Sequence, residues 1–339
     1  MQLHPALCRV LMSGMLLIAI NAYAGEDQDS LDWLRVVAIA SHQTDYSGVF
    51  VYQYGNHVET SRITHVVEPD SEYEKLESLD GPKREIIRYH GQVWCYINNK
   101  MEQVDSMMVR SRFPALLPAQ LSALSANYQI KEAGIERVAE YNAQVILFQP
   151  RDNLRYTHKI WVHTDSGLLL KAAVLDDKSQ LIEQYTFTQL KIGGDIDRSW
   201  IKNLALSTTS RVDASKSGQG VAGLSGASMP LEMSKGAATT NSGWNVGVLP
   251  AGFNKTMEIR RRMRGRHAPV TQLVFSDGLV AISAFIEPSD GDEDDVERPS
   301  NRGAMNLYNK VVDENLYTVV GEVPPHTLMQ ALDSIHLKK

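Results

Sequence analysis

The stretch AQVILFQPRDNLRYTHKIWVHTDSGLLLKAAVLDDKSQLIEQYTFTQLKI, residues 143–192, decides the fold class. Four runs rich in β-branched and aromatic residues lie in it: Ala143 to Gln149, Tyr156 to His163, Leu168 to Leu175 and Leu181 to Ile192. Arg151-Asp152-Asn153, Asp165-Ser166-Gly167 and Asp176-Asp177-Lys178 separate them. Turn residues at such short intervals, with no helical run between them, predict successive strands of one meander.

Toward the N-terminus the same pattern continues. Gly48 to Tyr54 is a strand with Phe50, Tyr52 and Tyr54 on one face, and Thr60 to Val67 returns after the turn Gly55-Asn56. Arg84 to Tyr89 and Val93 to Ile97 form a second hairpin around His90-Gly91. Two helices interrupt the strands. One is capped by Asp29 or Ser30 and carries Leu31, Leu34 and Ala38; the other runs from Phe113 to Ser125 with Pro118 near its first turn. The expected architecture is mainly β (α+β): a large curved antiparallel sheet with helices on one face. If that sheet curls without closing, the face beneath the helices becomes an apolar cavity.

Between Ser210 and Gly243 the composition changes to Gly and Ser without strong periodicity, which reads as a flexible linker. Trp244 opens a smaller unit. Its strands are Thr256 to Met263, Thr271 to Phe275, Leu279 to Glu287 and Leu316 to Glu322, and a helix runs from Pro325 to His336. The expected domains are therefore 25–209 and 244–339, joined by 210–243.

The first 24 residues have the layout of a secretory signal peptide. A short start with His4 and Arg9 precedes an apolar run from Val10 to Ile20, and Asn21-Ala22-Tyr23-Ala24 places small residues before a cut between Ala24 and Gly25. Export to the periplasm of a Gram-negative cell is the expectation. Removing Arg9 changes the formal charge from −6 to −7, a balance that gives no support to nucleic-acid binding. Cys95 is then the single thiol, so an internal disulfide is excluded.

Chemistry-bearing motifs are few. There is no G-x-S-x-G, H-E-x-x-H or phosphate-cradling glycine loop. His158 and His163 lie five residues apart in one strand and point to opposite faces, which suits a strand surface better than a metal site. Neither a catalytic residue, a metal nor a cofactor is expected; the protein works by binding. Two sets of residues are candidates. Arg260, Arg261, Arg262, Arg264 and Arg266 fall within seven positions, and guanidinium forks suit an acidic peptide or a phosphorylated head group; a solvated basic face is the alternative. Phe50, Tyr52, Tyr54, Trp94, Tyr96, Met107, Met108 and Phe113 form an aromatic and methionine set that either lines a lipid cavity or packs an ordinary core. An acidic run from Asp290 to Glu297 reads as an exposed loop.

The chain resembles the RseB/MucB family of periplasmic regulators of the sigma-E (AlgU-type) envelope-stress response. The residues that carry the resemblance are Tyr46-Ser47-Gly48-Val49-Phe50-Val51-Tyr52, Pro150-Arg151-Asp152-Asn153-Leu154-Arg155-Tyr156 and Trp161 to Lys171 in the first unit. In the second they are Phe275-Ser276-Asp277-Gly278-Leu279, Phe285-Ile286-Glu287, Gly303-Ala304-Met305-Asn306-Leu307-Tyr308 and Val319 to Pro324. The resemblance implies a LolA-like half-barrel followed by a smaller domain. It implies a partner, the periplasmic part of an RseA/MucA-type membrane anti-sigma factor, shielded from proteolysis and released by lipopolysaccharide or a related acylated ligand. A lipid or lipoprotein carrier is the alternative function. Oligomeric state, a homodimer included, is left open by the sequence.

Overall fold

The computed structural model describes residues 34–69, 71–89, 91–97, 100–104, 113–117, 124–201, 241–262, 268–289 and 299–338. The signal segment with Ala24 and Gly25, nearly all of 210–243, Met107, Met108, Arg264, Arg266 and the acidic run lie outside the described residues.

Helix α1 spans 34–43. Strands β1 Tyr46–Tyr54, β2 His57–Glu68, β3 Ser71–Ser78, β4 Arg84–Tyr89, β5 Gln92–Ile97 and β6 Lys100–Val104 follow, then the helical turn α2 Leu124–Asn127. Strands β7 Tyr128–Val138, β8 Tyr141–Pro150, β9 Thr157–His163, β10 Leu169–Leu175 and β11 Leu181–Ile192 complete one antiparallel sheet in the order β6-β5-β4-β3-β2-β1-β11-β10-β9-β8-β7. The sheet keeps two edges, so the barrel stays open. Strand β1 lies in its middle, paired to β2 on one side and β11 on the other, and this sets Phe50 opposite Phe187. Gly48 is required there: a Cβ would stand 2.7 Å from the Phe187 ring.

Register decides which side chains share a face. Gly48, Ile63, Leu76, Ile86 and Cys95 are successive cross-strand partners, so they share one face. That face packs Phe50, Ile63, Ile146, Phe148 and Ile160 against Leu34, Val37 and Ala38 of α1. The opposite face carries a smaller cluster of Val138, Ala143, Val145, Trp161, Leu170 and Ala173.

A second unit begins at β12 Trp244–Val246 and continues with β13 Asn254–Arg262, β14 Pro269–Ser276, β15 Ala281–Pro288, β16 Ser300–Arg302, β17 Met305–Val312 and β18 Asn315–Gly321. Helix α3 Pro325–Asp333 and β19 Ile335–Leu337 close it. Six of these strands form an antiparallel sheet in the order β13-β14-β15-β18-β17-β16, while β12 pairs with β19. Pro325 at the first position of α3 suits a helix start, where the missing N–H has no intrahelical partner. Leu328, Ala331 and Leu332 bury against Leu273, Phe275, Ile282, Ala284 and Val319, at roughly 1.5–3 kcal/mol for each large apolar side chain.

Several expectations are corrected. Residues 113–117 are irregular rather than the start of a helix, because Pro114 disfavours the helical region for Phe113. Of the two histidines expected on a strand surface, His163 is buried and His158 is half-buried. His158 pairs with Phe148 on the α1 face, and its Nε2 is buried without a hydrogen-bond partner. Burial pushes its imidazole down to about 4. His163 is buried on the other face, and its Nδ1 lies 2.8 Å from Ser166 Oγ in the following turn.

Candidate functional site

The structure divides the aromatic set. Phe50 lies on the α1 face with its ring 5.3 Å from Phe113, and Phe113 lies 4.9 Å from Phe187 and 5.6 Å from Tyr185, centroid to centroid. These rings fill the space beside β1 as an apolar core. Trp94 and Tyr96 do not join them. Trp94 pairs with Ile87 and Tyr96 with Glu85, one residue out of phase with Cys95, so both turn to the opposite face. The period of two decides this, and two separate hairpins read without their mutual register cannot.

Tyr52 and Tyr54 lie farther along β1, and the small unit meets them there. The Tyr52 hydroxyl donates to Glu183 Oε2 at 2.8 Å, and the Ala304 N–H donates to the same oxygen at 3.0 Å. Burial and, after it, the Glu183 carboxylate push the Tyr52 phenol well above its ordinary value. Arg302 Nη2 donates to Glu59 Oε1 at 2.6 Å, and its guanidinium stands 5.5 Å from the Tyr54 ring centroid and 6.0 Å from that of Tyr52. Gly303, at φ +59°, makes the turn: a Cβ there would collide with the Glu183 carboxylate.

A second bridge is built on the turn between β8 and β9. Arg155 Nε donates to Asp277 Oδ2 at 2.7 Å, and the Tyr128 hydroxyl donates to the same oxygen at 3.0 Å. Arg155 also donates to Asp152 and to the Ala251 carbonyl. The other oxygen of Asp277 accepts from the N–H groups of Leu279 and Val280, both at 3.0 Å, so every side of this buried carboxylate is hydrogen-bonded. Burial disfavours charge on Arg155, but the Asp277 hydrogen bond and charge outweigh it and raise the guanidinium's pKa. Burial and the same carboxylate push the Tyr128 phenol up. Around this centre Thr327 Oγ1 donates to the Leu154 carbonyl at 3.0 Å, and Asn306 Nδ2 donates to the Tyr156 hydroxyl at 3.2 Å.

Of the arginine cluster, Arg260, Arg261 and Arg262 close β13, an edge strand. Arg264 and Arg266 lie outside the described residues. Arg260 is exposed and pairs with Thr271; Arg261 donates through Nη2 to Gln272 Oε1 at 2.7 Å. Among the described residues no group of three or more His, Cys, Asp or Glu is placed to hold a metal ion.

Two family models match, the MucB/RseB N-terminal domain over residues 29–205 and the MucB/RseB C-terminal domain over residues 238–336. The chain belongs to the MucB/RseB family. Sigma factor AlgU regulatory protein MucB of Pseudomonas aeruginosa is 31% identical over 320 residues, 92% of each chain. The solved complex of Pseudomonas aeruginosa MucA and MucB matches with a TM-score of 0.67 at 29% identity, covering 92% of this chain and 99% of that one. A crystal structure of MucB in complex with MucA(peri) matches at 0.66 and 28% identity, over 91% of this chain and 98% of that one.

The MucB/RseB resemblance rests on segments that the structure brings together. Arg155, Tyr156, Asp277, Gly303, Ala304 and Asn306 come from separate motifs and meet at the junction of the two units. Ser276-Asp277-Gly278 is a turn, as its composition predicts, yet its carboxylate also serves Arg155 from the other unit. No sequence spacing signals that second role, because the partners are 122 residues apart.

Proposed function

We propose that this chain is a periplasmic regulatory protein that binds the periplasmic part of a MucA/RseA-type membrane anti-sigma factor and thereby holds the envelope-stress sigma factor inactive. The observation that carries the reading is the family match over both units, together with MucB solved in complex with MucA(peri) on a similar structure. Binding rather than catalysis is the proposed activity. Of the two candidate sets, the arginine strand β13 is the proposed recognition surface, while the rings beside β1 are a buried apolar core that an acyl chain would have to open. Export rests on the signal-peptide layout of residues 1–24, and among the described residues no helix is long and apolar enough to cross a membrane. The proposed domains are 25–209 and 244–339, joined through 210–243.

An acylated ligand, lipopolysaccharide included, belongs to the same proposal as the releasing signal. Phe50 and Phe113 support it as the apolar set beside β1, whereas Trp94 and Tyr96 turn away from them. Tyr52 and Tyr54 are engaged by the small unit.

The test is direct. The mature protein and the periplasmic domain of the anti-sigma factor from the same organism are mixed, and affinity is measured by calorimetry with stoichiometry by light scattering. Protection of the anti-sigma domain from its site-one protease is then followed with and without lipopolysaccharide micelles. Saturable binding with protection is the expected result; no binding at micromolar concentrations overturns the reading.

A further inference from the structure

We propose that the open edge of β13 is where an extended, acidic segment of the anti-sigma factor's periplasmic part adds as a further strand of the small sheet. This rests on the functional reading above and names how that partner docks.

The argument starts from the sheet edges. An edge strand presents unpaired N–H and C=O groups and is a template for another chain unless it is short, bulged or covered. Two of the four edges of the two large sheets are handled in one of those ways, and a third, β6, is little more than half the length of β13. Strand β16 has three residues, and Arg302 ties its end to Glu59 of the other unit. Strand β7 is broken by a register shift between Glu132 and Ile135, with Gly134 at φ +84°. Strand β6 has five residues. Strand β13 differs. It has nine residues, its irregularity is confined to Lys255/Met257, and from Met257 to Arg262 it pairs in unbroken register with Val274 to Pro269. Among the described residues no strand covers its outer side.

Charge selects the occupant. The strand carries Lys255, Arg260, Arg261 and Arg262 against one carboxylate, Glu258, which Lys255 Nζ already meets at 2.5 Å. Arg260 shares a face with Thr271, and Arg261 shares the other face with Gln272 through its hydrogen bond. Exposed Arg260 therefore flanks the edge on one face and Arg261, tied to Gln272, on the other, and an added strand with carboxylates on two successive residues would meet a cation on each face. A second copy of β13 is disfavoured, because it would set cations against cations across the pair. Main-chain bonds supply affinity in such strand addition, and side chains on the two faces supply selectivity.

Hydrogen exchange read at single residues tests this on the full mature chain, alone and with the anti-sigma periplasmic domain, binding being checked in the same samples by calorimetry. The N–H groups of alternate residues between Met257 and Arg262 point away from β14. They are expected to exchange freely in the free protein and to slow about tenfold or more in the complex. A complex that forms while those amides keep their free rates overturns strand addition and leaves the functional reading standing. Alternate amides already protected in the free chain overturn it too, since the edge is then covered by the chain itself or by a second copy. If calorimetry shows no complex, the functional reading fails and this inference falls with it.

Discussion

Arg155 and Asp277 bury an ion pair between the two units: Nε to Oδ2 is 2.7 Å, and the side chains are 1% and 0% exposed. Removing one partner of such a pair strands the other charge, at a cost of roughly 3–5 kcal/mol, whereas removing both costs far less than the sum. Asp277→Asn and Arg155→Met should each destabilise the protein by about 3 kcal/mol, and the double variant should lose well under 6 kcal/mol. Denaturant unfolding of the four proteins gives the coupling energy. A coupling near zero would show that the pair is not formed in solution.

Gly303 stands where the turn before Ala304 approaches Glu183. Gly303→Ala meets two obstacles, a left-handed backbone at φ +59° and the collision of its Cβ with the carboxylate. The backbone alone costs about 1 kcal/mol. Pairing the substitution with Glu183→Ala removes the collision and keeps the backbone strain. The double variant should therefore lose less stability than the two singles added together, as read from thermal midpoints. Strict additivity would mean that the turn does not touch Glu183.

The fold was legible where hydrophobic alternation and turn chemistry coincide. Strands β8 to β11 follow the runs and turns of residues 143–192 closely, and α3 follows Leu328 and Leu332. Strands β3 and β7 were not legible. Ser-Glu-Tyr-Glu-Lys-Leu-Glu-Ser and Tyr-Gln-Ile-Lys-Glu-Ala-Gly-Ile-Glu-Arg-Val hold mostly residues that favour helices or solvent, and pairing with neighbours makes them strands. Glu74 illustrates why: it is buried on the α1 face in an ion pair with Arg88, so a charge occupies a position that alternation reserves for an apolar residue. Of the candidate sites, the arginines were legible as a cluster, while their place on a sheet edge came from topology. The junction was not legible at all, since Tyr128, Arg155 and Asp277 meet only through the packing of two separate sheets.

Phe50 and Trp94, grouped by the sequence, should separate in experiment. Phe50 is 6% exposed among Phe113, Tyr185 and Phe187, so Phe50→Ala should cost about 3–5 kcal/mol. Trp94 is partly exposed on the opposite face, and Trp94→Ala should cost less than half as much. Urea midpoints check the difference. Binding of lipopolysaccharide, measured on the folded variants, should change for Phe50→Leu and not for Trp94→Leu if the rings beside β1 hold the acyl chain.

His158 makes stability depend on pH. Its pKa falls from 6.5 to about 4 on folding because burial disfavours the imidazolium. Between those values the unfolded chain holds a proton that the folded one lacks, so stability drops as pH falls from about 6.5 and the loss is complete below 4. His42 acts in the opposite sense. The Glu72 hydrogen bond raises its pKa despite partial burial, so its contribution is present at low pH and lost as pH rises; half exposure keeps it small. Glu72, held at about 2 by His42 and His65 against the effect of its burial, matters only below its ordinary value of 4.5. From pH 7 to pH 5 the parent protein should lose about 2 kcal/mol through His158, and His158→Gln should remove most of that slope. Equal slopes for the two proteins would place the titration elsewhere.

The arginine strand should reveal itself through salt. Exposed ion pairs are worth about 0–1 kcal/mol each, so a single substitution in Arg260, Arg262 or Arg264 should change binding of the anti-sigma periplasmic domain little. Replacing the three with Ser together should cost roughly 1–2 kcal/mol, about tenfold in affinity, and most of the loss should appear as slower association. The same triple variant should flatten the dependence of association on ionic strength between about 0.05 and 0.2 M, where screening acts on exposed charges. Arg261 is left in place because its hydrogen bond to Gln272 belongs to the sheet. Stopped-flow association at two salt concentrations, with circular dichroism to check the fold, separates the outcomes. A folded triple variant with the parent's affinity and the parent's salt dependence would remove these arginines from the docking surface and overturn the acidic occupant proposed for the β13 edge.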